Sequence, residues 1–162
     1  MKNFIAHTEE IRTELLKSIS CEKSDDLFII GNHTNKHKDM SKSNKDEIIN
    51  DLLENEKIYT DMTNKKMSNF IRPPEGKFNE LSLEVTNNLG YKNIFWSISH
   101  VDWLVDKQKG YEKSLNTLKK QLHNGGIILL HNVSYDNKII LEDLIKYALD
   151  KGYKFKSLND LY

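Results

Sequence analysis

Two rhythms of apolar positions alternate along this chain. The first is a series of short apolar runs: Leu27-Phe28-Ile29-Ile30, then Asn69-Phe70-Ile71, then Lys92 to Ile98, then Ile127-Ile128-Leu129-Leu130 after Gly125-Gly126. Runs of this length bounded by turn-forming residues read as strands of a buried, mainly parallel sheet, with Ile127 to Leu130 as the clearest of them. Tyr153-Lys154-Phe155 reads as a final strand. The second rhythm is helical. Thr8 can cap a helix with Ile11, Leu15, Leu16 and Ile19 on one face, and Ser41 or Ser43 can start one with Ile48, Ile49, Leu52 and Leu53 inward. Leu81, Val85 and Leu89 mark a third, closed by Gly90; Tyr111, Leu115, Leu118 and Leu122 mark a fourth. A fifth runs from about Asn137 to Gly152. The resulting βαβα order predicts an α/β fold, a parallel sheet flanked by helices. No repeat or linker divides residues 1–162, so one domain is expected.

This pattern also places the polar residues. His33, Arg72, Asp102 and His131 each fall at or just past the end of an expected strand. In a parallel sheet or barrel such ends gather on one face, where α/β proteins carry their chemistry.

His33 and His37 are four residues apart, a spacing that can set two imidazoles on one side of a helical turn. Neutral imidazole pairs hold divalent metals, zinc foremost, once a third ligand and an open position for water are present. The spacing alone equally suits two solvated loop histidines. Arg72-Pro73-Pro74-Glu75-Gly76 reads as a rigid turn that either fixes Arg72 toward a carboxylate or simply exposes it. Trp103, just beyond a strand, suits either a sugar-stacking wall or the core. Asp102 can orient a histidine, and His131, directly after an apolar strand, is placed for acid–base work. Ser134 lies in no nucleophile elbow.

Composition narrows the classes. The formal net charge is zero, which removes the electrostatic case for nucleic acid or an anionic membrane surface. Cys21 is the single cysteine, so intrachain disulfides and cysteine metal clusters are excluded. Met1 to His7 lacks the apolar core of a signal peptide, and no apolar run is long enough to span a bilayer. Taken as the whole product, such a chain would be cytoplasmic.

The ordered blocks Gly-Asn-His-Thr-x3-His, Arg-Pro-Pro-x-Gly, a tryptophan-rich segment ending Asp102-Trp103, and Leu-Leu-His together resemble the polysaccharide deacetylases, also called the NodB-homology group or carbohydrate esterase family four. The resemblance runs from about Phe4 to the C-terminus. Gly126 to Ser134, Asp136-Asn137 and Gly152-Tyr153-x-Phe155 are most similar to the delta-lactam-biosynthetic deacetylases of spore peptidoglycan. The resemblance implies a distorted (β/α) barrel and a metal-dependent hydrolase removing N-acetyl groups from amino sugars of cell-wall glycan, at the cell envelope or outside it. It implies that His33 and His37 bind a divalent metal, zinc first, and that Arg72 orients the catalytic aspartate. Asp102 would tune His131 as the general acid, while Pro73, Trp103 and Leu129 wall the substrate groove.

The family opens with a Thr-Phe-Asp-Asp-Gly block that supplies the catalytic base and the third metal ligand, and no such block stands in this sequence. Asp25-Asp26 comes too close before His33 to replace it. The expectation is therefore a barrel without its first strand and helix, with impaired turnover, completed by a further N-terminal segment or a homo-oligomeric contact. A non-catalytic glycan- or partner-binding relative is the alternative.

Overall fold

The computed structural model describes residues 29–161, which fall into two compact units, 29–95 and 96–161. The expected Thr8-capped helix, the positions Leu27 and Phe28, and Asp25-Asp26 lie outside the described residues.

In the first unit, the chain at 30–32 lies parallel to residues 68–72. Ser68 N–H donates to the Ile30 carbonyl, Asn32 N–H to Phe70 and Arg72 N–H to Asn32. Gly31 makes this approach feasible, because a Cβ there would stand 2.8 Å from the Phe70 carbonyl oxygen. β1 (Phe70–Ile71) pairs in parallel with β2 (Lys92–Asn93) on its other side. Helix α1 (Lys45–Thr63) starts at Asn44, whose side chain accepts from Glu47 N–H while Glu47 answers to the Asn44 N–H. This reciprocal capping box moves the start one residue past Ser43; Ser41 instead lies inside a 3-10 turn, Met40–Lys42, which Ser43 closes. Helix α2 (Glu80–Asn88) repeats the device with Asn79 and Ser82. Met40, Ile48, Leu52, Ile71, Val85 and Tyr91 form the core. Leu53, expected inward, is exposed, as are Leu81 of α2 and Leu89 at its C-cap. A narrow contact stripe suffices for a helix covering a small sheet, so only part of each apolar face is used.

In the second unit, helices α3 (Tyr111–Gln121) and α4 (Tyr135–Asp150) pack together over Ile98, Leu115, Leu118, Ile140 and Leu144. Ile98 makes a parallel bridge to Ile128, and Leu129 N–H donates to the Ile98 carbonyl. Gly126 fits against Ile98, whose Cδ1 would lie 2.5 Å from an added Cβ. Three expectations change here. The stretch Lys92 to Ile98 is not one strand: its start pairs with β1, its end with Ile128. Ile127 to Leu130 is half-buried and not fully covered. Tyr153 to Phe155 forms no strand; Phe155 is exposed, and the Tyr153 hydroxyl donates to the Leu122 carbonyl. Helix α4 also begins two residues before Asn137, because Ser134 caps it by accepting from the Asn137 N–H.

Among the described residues every strand pairing is parallel, and no helix is long and apolar enough to cross a membrane.

Candidate active site

The histidine pair is not on a helical turn. Thr34 and His37 both adopt left-handed backbone, with φ of 59° and 53°. Such angles cost a β-branched residue about 1–3 kcal/mol unless the surroundings enforce them. Here Asn32 does so. Its Oδ1 accepts from the Thr34 N–H at 2.9 Å, and Thr34 Oγ1 accepts from the His37 N–H at 3.0 Å. The loop folds back, and the His33 and His37 rings meet edge to face, 4.8 Å between centroids.

Asn32 is fully buried and uses both ends of its amide. Nδ2 donates to the Leu52 carbonyl at 3.1 Å and to Tyr91 Oη at 2.7 Å; Oδ1 also accepts from Asn55 Nδ2 at 2.9 Å. Because the Tyr91 oxygen accepts from Asn32, its own proton goes to Glu56. Burial, and then the Glu56 carboxylate, push the Tyr91 phenol well above its usual range, so it remains a donor.

His33 is 5% exposed, and its Nδ1 lies 2.5 Å from the Arg72 carbonyl oxygen. A carbonyl only accepts, so Nδ1 carries the proton and Nε2 carries the lone pair. A backbone carbonyl behind a ligand imidazole is the usual orienting partner of a metal-bound histidine. Two imidazoles, one with its tautomer set this way, fit part of a divalent-metal donor set. Among the described residues no group of three or more His, Cys, Asp or Glu is gathered to complete it. Arg72 meets His33 through its main chain, and Pro73 behind it is buried.

The second constellation is built around Asp102, which is 1% exposed. Its Oδ1 accepts from His131 Nδ1 at 2.6 Å; its Oδ2 accepts from the His131 N–H and from Asn137 Nδ2, each at 2.6 Å. Burial pushes the Asp102 carboxyl up, but the His131 ring, the His131 N–H and the Asn137 amide together bring it below its ordinary value. The ionised carboxylate thus holds the His131 proton on Nδ1 and leaves Nε2 as the nitrogen that can carry a working proton. The His131 side chain is 29% exposed. Trp103 is 53% exposed, its ring 5.9 Å from that of His131 and steeply inclined to it. Leu129 is half-buried on the bridged segment.

Sequence reasoning passed over three residues that shape these centres. Asn32 and Asn137 stand inside the quoted blocks, yet no role was read from either. Gln108 donates to the Asp102 and Leu104 carbonyls on either side of Trp103 and accepts from the Ser134 hydroxyl. Only a buried amide saturated on both ends distinguishes such residues, and that is invisible in a linear pattern.

The described residues thus combine parallel α/β organisation with a buried histidine oriented by a carbonyl and with a buried aspartate–histidine pair. The family model for polysaccharide deacetylase matches residues 6–94, and the chain belongs to that family. It is 40% identical over 156 residues to the peptidoglycan-N-acetylmuramic acid deacetylase PdaA of Bacillus subtilis, covering 96% of this chain and 57% of that protein. The solved structure of that Bacillus subtilis family 4 carbohydrate esterase superposes with a TM-score of 0.76 over 81% of this chain and 56% of its own. A family 4 pseudoenzyme from Bacillus anthracis, 25% identical, superposes with a TM-score of 0.73 over 81% of this chain and 45% of its own. The fold is therefore that of the family 4 esterases, and the chain spans about half the length of the curated relatives it matches.

Proposed function

We propose that this chain belongs to a metal-dependent N-deacetylase acting on amino sugars of peptidoglycan, with residues 1–162 forming part of a single deacetylase-like domain. The single observation that carries the reading is the Asp102–His131 pair, a buried carboxylate fixing the tautomer of a partly exposed imidazole. The 40% identity to a peptidoglycan-N-acetylmuramic acid deacetylase supports N-acetylmuramic acid as the first sugar to try.

His33 and His37 would hold the cation, zinc first. Bound there, the cation supplies Lewis acidity toward the acetamide carbonyl. His131 donates its Nε2 proton to the departing amine nitrogen while Asp102 keeps the ring in place. By the family resemblance, Trp103 would stack on the sugar face, Leu129 and Pro73 would be substrate-binding, and Arg72 would orient the carboxylate base. That base and the third ligand are assigned to no described residue, and low turnover is the expected consequence.

Released acetate, measured with N-acetylated peptidoglycan and zinc and again after chelation, tests this reading. Slow, chelator-sensitive release supports it; release unaffected by the chelator contradicts it. A second reading, a glycan-binding relative without turnover, is favoured by the likeness to a family 4 pseudoenzyme. Glycan retention that survives both chelation and His131→Ala, without any acetate, selects it.

A further inference from the structure

His100 is 9% exposed, and no step above uses it. Its Nε2 lies 2.7 Å from Asn137 Oδ1. Asn137 is 3% exposed in the first turn of α4, and its Nδ2 lies 2.6 Å from Asp102 Oδ2 and 2.9 Å from the His131 carbonyl oxygen. A carboxylate and a carbonyl can only accept, so the amide nitrogen must face them and the amide oxygen must face His100. His100 must then carry its proton on Nε2. One hydrogen pattern satisfies the whole chain: His100 to Asn137, Asn137 to Asp102, and His131 Nδ1 to Asp102.

We propose that Asn137 is a positioning residue for His131, acting through Asp102, and that His100 sets the direction of the Asn137 amide. A reversed amide would place its oxygen against the Asp102 carboxylate and leave the His131 carbonyl without this donor. Asn137 occupies one lobe of Oδ2 and the carbonyl of the very residue whose ring Oδ1 holds, so it locks both ends of His131 to one carboxylate. Ser134 Oγ, accepting from the Asn137 N–H, fixes the backbone from which the amide reaches. That His131 then acts as an acid rests on the deacetylase reading; the hydrogen pattern does not, and it is read without substrate or metal.

The test is nitrogen-15 NMR of the histidine rings in the full chain. In the unmodified protein, His100 should carry its proton on Nε2 and His131 should show a slowly exchanging Nδ1 proton. A His100 ring protonated on Nδ1 alone would overturn the proposal. Asn137→Asp keeps the side-chain shape but sets a carboxyl against Asp102, whereas Asn137→Ala removes shape and donor together. The His131 Nδ1 proton should exchange at least roughly tenfold faster in both, and fastest in the Asp variant. An Asp variant resembling the unmodified protein while the Ala variant is perturbed would mean packing alone, and would refute it. His100→Phe keeps a ring but removes the donor, and covers failure of the Asp variant to fold. Faster His131 exchange supports the role of His100, and unchanged exchange removes it.

Discussion

Asp102 is a nearly inaccessible carboxylate with three donors on two oxygens. Its pKa lies below the ordinary 3.8, so its ionised form is favoured by folding. A lowered carboxylate stabilises the fold fully above its unfolded value and loses that contribution as pH falls through the folded value. Asp102→Asn should therefore cost about 1–3 kcal/mol at neutral pH, because one of the three donors must meet an amide N–H. The gap between the two proteins in urea denaturation should narrow as pH drops below 3.8. A gap independent of pH would mean that the charge of Asp102 contributes nothing. At this scale the pairing of Asp102 with His131 was legible in the sequence, since each falls at or just past the end of an expected strand. Asn32, Gln108 and Asn137 were not, because an amide acquires meaning only from what it faces.

Elements hold these residues in register. Gly31 permits the close lie of residues 30–32 against 68–72, from which the Arg72 carbonyl reaches His33. Gly31→Ala should destabilise the first unit by about 1–3 kcal/mol, since a backbone carbonyl has to move and no flexible side chain can yield instead. Asn44→Ala, at the cap of α1, should cost about 1 kcal/mol in thermal or urea unfolding. Urea midpoints for both variants check this, and equal stability of Gly31→Ala and the unmodified chain would refute the close approach. Helices α1 to α4 were legible because each carries several apolar residues at helical spacing. Their starts were read less well where Asn44 and Ser134 outcompeted neighbouring cap candidates. The spacing after Asn32 allowed a helical turn or a loop, and the structure has the loop. Four-residue spacing fits a helix, but a side-chain hydrogen bond from Asn32 can hold Thr34 in a left-handed turn that spacing does not encode. Strand lengths were overestimated for a related reason: Lys92 to Ile98 is continuous in polarity yet changes pairing partner part-way along.

At the scale of the whole chain, the proposed metal binding can be tested apart from turnover. A cation that binds only the folded protein raises its stability by mass action, and saturating zinc should raise the melting temperature. His33→Ala and His37→Ala should each abolish that rise, while His131→Ala should keep it. A rise retained in the double His33→Ala, His37→Ala variant would place the cation elsewhere. The family and its α/β fold were legible from four short blocks in the right order. The carboxylate base was not, because the resemblance implies it in a Thr-Phe-Asp-Asp-Gly block and no such run stands in residues 1–162.

The most direct measurement is acetate release from N-acetylated peptidoglycan by a fusion that places a Thr-Phe-Asp-Asp-Gly strand and its helix ahead of Met1. Supplying the base that the proposed mechanism requires should raise the rate at least about a hundredfold over the chain alone. The gain should vanish with chelation and with His131→Ala. A folded, zinc-bound fusion that releases no acetate would contradict the deacetylase account.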